Sequence, residues 1–401
     1  MFKKILQNIV LLVTAIILCL AFSEAAIRLM GKHDADGNFC LFNKTLRPYK
    51  CPVVSVEEAV RKYLSKASAF VSYDPDLGWS PRPLSKSENG LFMYNSEGIR
   101  CPSCDTVIPR TPRPGVLRIA IFGDSFTHGD EVTYEQTWGY ALENTLKSAG
   151  VDAEVINFGF CGYGMDQAYL RWKKTGRLFS PDIVIFGFQP ENLQRNVNII
   201  RLMYRPTDEI FFSKPRFIIS GGALKLLNVP CIDPQRLVGI LQNLNSWDLL
   251  KYEYWAIPVN YVERPWQRSM LLRAIWNLCT KEITRSALFP EFKRVDKEPA
   301  LLGLRIIQAF KKDVEASGSK FLVVYLPHTP TLGMLLAGQE PTEADIIGEL
   351  DKTAVVIHPE KELAEQIVKT PWRAAQFHHY SADENNVLGR KIAQVILGNR
   401  N

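Results

Sequence analysis

From residue 116 onward the chain alternates short apolar runs with amphipathic stretches, and this alternation restricts its possible folds more than any other feature. Val116-Leu-Arg-Ile-Ala-Ile-Phe122 is apolar almost throughout and stops at Gly123. A run so short and so apolar, closed by a glycine, predicts a strand buried on both faces. Residues 137–149 follow with helical spacing and end at Gly150. Further strands are predicted at 154–157, 182–186, 320–326 and 353–357, and further helices at 300–317 and 385–397. Strands alternating with helices build a parallel sheet covered on both sides. An insertion of about 201–299 separates the third and fourth strands. Within it, 217–227 reads as a hairpin turning at Gly221-Gly222. Helical segments rich in aromatic rings come next, including Trp247, Tyr252, Tyr254, Trp255, Trp266 and Trp276. These rings are expected to pack against the main domain, the alternative being a substrate wall or lid.

The N-terminus sets the compartment. Lys3 and Lys4 precede an apolar run from Ile5 to Ala26, and Thr14 is the one polar residue between Ile9 and Phe22. A cleaved signal peptide would use Ser23-Glu24-Ala25 as its cut site. An uncleaved anchor needs close to ~20 apolar residues, which the full run supplies, and an anchor is the expectation. Leu18 before Cys19 argues against a lipoprotein signal. By the positive-inside rule, Lys3 and Lys4 stay in the cytoplasm. The body is then exported, as a single-pass protein of the inner membrane with a periplasmic domain. The expected segments are an anchor at 1–26, an irregular Pro- and Gly-punctuated arm at 27–114 with helical spacing at 56–69, and the main domain at 115–401.

The net charge of +6 comes from scattered Lys and Arg with no basic stripe, so no nucleic-acid partner is expected. Of eight cysteines, Cys40/Cys51 and Cys101/Cys104 form close pairs suited to disulfides in an oxidising compartment. Cys101-Pro-Ser-Cys104 lacks the second pair that a zinc site requires, and no metal is expected.

Chemistry concentrates where strands end. Gly123-Asp124-Ser125 follows the first strand, at the edge where open α/β sheets bind ligands. The second strand ends in Asn157-Phe-Gly-Phe-Cys-Gly-Tyr-Gly164, whose glycines let backbone N–H groups approach an oxyanion. The third runs into Gln189-Pro-Glu-Asn192, and Asn192 is placed to offer its amide. His378-His379-Tyr380 precedes the last helix. A nucleophile, two oxyanion donors and a base thus arrive in chain order. His128, only three residues past Ser125, reaches back awkwardly; His378 points away from His379 in an extended segment; His328 reads as a loop histidine.

In these four blocks the chain resembles the SGNH/GDSL hydrolases, over about 116–200 and 318–398. Ser125 matches the family's nucleophile, Gly162 its second-block glycine, Asn192 its third-block asparagine and His379 its base. The anchor and the segments Leu77-Gly78-Trp79 and Asn95-Ser-Glu-Gly98 resemble an exported bacterial branch. The resemblance implies a flavodoxin-like three-layer αβα sandwich and acyl transfer through Ser125 without cofactor or metal. The implied partner is an acylated glycan or lipid ester of the cell envelope, cleaved by a serine esterase. The alternatives are an O-acyltransferase on an exported polysaccharide and a catalytically dead scaffold. Two positions depart from the family: Gln376 stands where Asp usually precedes the histidine by three residues, and Leu193 where Asp follows the asparagine. The first leaves the acid of the triad unassigned. Oligomeric state is not legible.

Overall fold

The computed structural model describes residues 2–42, 44–65, 70–205, 209–280, 292–370, 373 and 378–398. Gln376 lies outside them. The chain forms two compact units, one of residues 1–61 and 238–288, the other of 62–237 and 289–401. The chain passes from one unit to the other after residues 61, 237 and 288.

In the first unit, helix α1 (Phe2–Met30) is 29 residues long and none of them is buried. It is the one described helix long and apolar enough to cross a membrane. The larger unit carries the sheet. Strand β1 (Leu117–Phe122) leads into the four-residue helix α2 (Ser125–His128), then helix α3 (Trp138–Ser148). Strand β2 (Ala153–Asn157) leads to helix α4 (Met165–Lys174), and β3 (Ile183–Phe188) to the short helix α5 (Asn192–Arg195). After helix α6 (Met270–Cys279), which belongs to the first unit, come helix α7 (Glu298–Ala316), β4 (Lys320–Tyr325), β5 (Val355–Ile357) and helix α8 (Ala382–Gly398). The observed hairpin pairs Arg216–Ser220 with Ala223–Leu227. Thr353 and Ala354, expected to open β5, instead end the helix Ala344–Thr353 and cap it.

The five strands are parallel and lie in the order β5-β4-β3-β1-β2, the flavodoxin-like order. Alternation along β1 decides which layer each residue meets. Leu117, Ile119 and Ile121 join Trp138 and Leu142 of α3 and Leu388, Ile392 and Ile396 of α8 in one core. Phe122 faces the other layer, 5.9 Å from Trp172 of α4 and 5.8 Å from Phe310 of α7 between ring centroids. Every residue of β1 and β3 is buried, so each strand is covered on both faces. Truncating Phe310 to alanine removes the ring at the centre of that second layer, a change that costs about 3–5 kcal/mol in well-packed cores.

Among the described residues no disulfide forms, in place of the expected Cys40/Cys51 and Cys101/Cys104 pairs. Cys104 donates to the Ser85 carbonyl at 3.4 Å instead, and burial pushes the Cys101 thiol up to about 12. Of the insertion's aromatic residues, Trp255 is buried, whereas Tyr254 and Trp266 remain 37 % exposed.

Candidate active site

The nucleophile turn is built by exclusion. A Cβ on Gly123 would stand 2.2 Å from Thr127 Oγ1, so no larger residue fits between β1 and α2. Asp124 then caps α2, its carboxylate accepting from the Phe126 N–H at 3.0 Å. This sets Ser125 as the first residue of the helix, 6 % exposed.

His379 arrives from the far end of the chain. Tyr380 anchors it, donating through its hydroxyl to the Pro327 carbonyl at 2.7 Å, while Asn385 of α8 holds the Tyr380 carbonyl at 3.0 Å. The Phe126 ring lies 5.0 Å from both the His379 and Tyr380 rings. The outcome is a direct contact, with Ser125 Oγ 2.9 Å from His379 Nε2. On the opposite side of the imidazole, Nδ1 lies 2.9 Å from Glu131 Oε1. In the tautomer protonated at Nδ1, the ring donates to Glu131 and accepts from the serine hydroxyl.

Glu131 escaped sequence reasoning because nothing periodic marks it. It follows the nucleophile by six residues and sits at φ +71°, a left-handed conformation that costs a non-glycine residue of order 1 kcal/mol or more. The loop around it is held on every side. The Gly129 and Asp130 N–H groups bond to the Ser125 carbonyl at 2.9 and 3.0 Å. Arg100, buried, donates to the carbonyls of His128, Gly129 (2.7 Å) and Val132 (2.6 Å). Asp130 turns the other way, to His128 Nδ1, while His128 Nε2 accepts from the Tyr94 hydroxyl at 2.8 Å. Burial pushes the His128 pKa down to about 4, and the Arg100 cation acts in the same direction. Both ring nitrogens of His128 are thus engaged away from Ser125, whose Oγ meets His379 instead. His128, Asp130 and Cys161 have the atom types of a metal site and lie within 4.8 Å of one another. Their hydrogen bonds to each other and to Tyr94, with Arg100 at 3.4 Å from Nδ1, account for the cluster without an ion.

The oxyanion candidates come together around Asp124. Asn192 donates one amide hydrogen to Asp124 Oδ2 at 2.9 Å, so that hydrogen is engaged beside the nucleophile. Arg195, also missed from sequence, donates to the same oxygen at 3.0 Å and to the Tyr163 carbonyl at 2.8 Å. It ties the first, second and third blocks into one buried network. Gly162 has φ +73°, and its carbonyl accepts from Arg201 at 3.4 Å. Trp79 steadies its loop: the indole donates to the Cys161 carbonyl at 3.0 Å, and Tyr163 donates to the Trp79 carbonyl at 3.0 Å. Leu193, where the family has Asp, is 1 % exposed and packs against Gly303 of α7. His328 is half-buried and lies along Phe126, and desolvation of its ring pushes its pKa down to about 4. A surface depression of about 1220 Å³ in the smaller unit contains neither Ser125 nor His379.

No family model matches the chain, and no curated protein sequence matches it. Solved structures do. A lipolytic protein of the G-D-S-L family from Desulfitobacterium hafniense aligns at 13 % identity over 70 % of this chain and 99 % of its own, with a TM-score of 0.31. A catalytic mutant of Axe2, an acetylxylan esterase from Geobacillus stearothermophilus, aligns at 9 % over 70 % and 93 %, with a TM-score of 0.36. The acetyl xylan esterase AlAXEase aligns at 13 % over 70 % and 99 %, with a TM-score of 0.33. The sheet order, the serine turn after β1 and the histidine ahead of α8, read from this chain itself, give it the α/β fold of the SGNH/GDSL hydrolases.

Proposed function

We propose that the protein is a serine esterase, held to the inner membrane by α1 with its catalytic unit in the periplasm, that cleaves acyl esters of envelope glycans or lipids. The observation that carries this reading is the continuous chain of hydrogen bonds from Ser125 Oγ through the His379 imidazole to Glu131 Oε1, 2.9 Å at each step. His379 takes the hydroxyl proton as Ser125 attacks the ester carbonyl, and the imidazolium returns it to the leaving alkoxide. Glu131 holds the ring in the tautomer that leaves Nε2 free to accept and offsets the positive charge that then develops. It fills the place left open by Gln376. The Ser125 and Gly162 N–H groups and the second amide hydrogen of Asn192 are assigned to the oxyanion. Water entering by the same route, activated by His379, frees the acyl group. The export segment supports an envelope substrate.

Labelling with a fluorophosphonate followed by peptide mapping tests the reading. A single adduct on Ser125, abolished by Ser125→Ala and by prior denaturation, is the expected result. An unlabelled wild type that hydrolyses no simple acetyl ester sinks it. Adding a sugar acceptor during turnover separates hydrolysis from transfer: acyl appearing on the sugar would replace the esterase by an acyltransferase.

A further inference from the structure

Helix α6 is built inside out. Its buried residues are Arg273 and Ala274: Arg273 donates to the carbonyls of Leu46 (2.6 Å), Arg47 (2.9 Å) and Pro48 (2.7 Å), and the half-buried Asn277 exchanges hydrogen bonds with the Arg47 backbone at 3.0 Å. Ala274 sits with them in a small core beside Phe39, Leu46 and Ile27. The opposite stripe is apolar and open: Leu272 is 46 %, Ile275 45 % and Leu278 85 % exposed. Spaced three apart, they share one face of the helix. A helix facing water shows the reverse arrangement.

The helix begins where the apolar part of α1 ends. The most strongly apolar stretch of α1 closes at Phe22, before Ser23 and Glu24, and Glu24 receives the first turn of α6: its carboxylate accepts from the N–H groups of Met270 (3.0 Å) and Leu271 (2.8 Å) and from the Ser269 hydroxyl (2.8 Å). Arg28 donates to the Arg268 carbonyl at 2.8 Å, one turn further along α1. Trp266 meets Trp276 edge to face at 5.8 Å and is itself part-exposed, and Lys32, Arg264 and Arg268 are exposed nearby in the sequence of the same unit. Tryptophan and basic residues next to an apolar stripe are the composition of a segment lying at the headgroup boundary.

We infer that α6 is a second membrane contact, an in-plane helix that seats Leu272, Ile275 and Leu278 in the outer face of the bilayer that α1 crosses. The inference rests on α1 being a membrane span. The occupant is a phospholipid surface because Glu24 and Arg28, near the end of that span, hold the first turn of α6, which sets this helix at the level where acyl chains give way to headgroups. Polar residues on the inner side and leucines on the outer side are then each in the solvent that suits them.

Site-directed photo-crosslinking of the full-length protein in phosphatidylethanolamine–phosphatidylglycerol vesicles tests it. Benzoylphenylalanine is placed singly at Leu272, Ile275, Leu278, Leu12 in the span, and Val107, which is 85 % exposed in the other unit. Melting curves confirm that each variant is folded. Lipid adducts at all three α6 positions should exceed those at Val107 by about tenfold or more, as for side chains immersed in acyl chains. Adducts at Leu12 with none on α6 overturn the inference and leave the span intact. Absence of adducts at Leu12 as well removes both. Adducts to a second copy of the chain at 272, 275 or 278 overturn it in favour of self-association.

Discussion

Asp130 and Glu131 are adjacent in the chain, yet each carboxylate meets a different histidine in opposite surroundings. The His128–Asp130 pair is enclosed. His128 is fully buried, with Phe92, Tyr94 and Phe160 around its ring and Arg100 against its loop. The His379–Glu131 pair opens to solvent, Glu131 having 61 % of its side chain exposed, and its imidazole faces a serine hydroxyl. The same two functional groups thus make a brace in one place and, under the proposed function, a proton-transfer pair in the other. Desolvation decides between them: a histidine whose charged form is driven out by burial cannot cycle through imidazolium during turnover.

Four experiments would break or sharpen that contrast. The largest effect is expected for His379→Ala, which should lower turnover of an acetyl ester by roughly 10⁴-fold or more, as loss of a triad base does elsewhere, while leaving the melting temperature near wild type. Equal losses from His128→Ala and His379→Ala with no change in melting for either would erase the distinction. Asn192→Ala should cost roughly 10²–10³ in kcat with a smaller change in KM, the signature of a lost oxyanion donor. A pure KM effect would move Asn192 to substrate binding. Glu131→Gln should cost about 10–10² in kcat, less than a buried triad acid because Glu131 is open to water. An unchanged kcat would reduce Glu131 to a bystander.

The smallest effect concerns stability. His128 and His328 are held near a pKa of about 4 by burial. The unfolded chain takes up protons at each near the ordinary histidine value of 6.5, before the folded chain does. Their contribution is therefore complete above about pH 6.5 and is lost as pH falls toward 4, up to about 3 kcal/mol apiece. Thermal melting from pH 7 to pH 4.5 should show a decline that His128→Gln flattens in part. A melting temperature constant over that interval would contradict the buried-brace description.

What could be read from sequence followed from periodicity and from position at strand ends. The strands were legible because most of their residues are apolar in short runs, Ser125 because it follows the end of β1, and His379 because it stands just ahead of the last helix. Glu131 and Arg100 were not. Glu131 approaches His379 only through a left-handed residue in a loop held by Arg100, and Arg100 comes from a turn-rich stretch in which a single arginine looks like any surface cation. The apolar spacing of α6 was visible, but its polarity reads identically whether its leucines face inward or outward. The contacts of Arg273 and Asn277 supply the missing sign.

The left-handed backbone at residue 131 sets two selections against each other. A library varied at this one codon and screened for heat resistance should enrich glycine and asparagine, which accept that conformation without strain. Screened for ester turnover, the same library should return glutamate. A residue that stability alone would discard, and that persists, records what the chain has been selected to do.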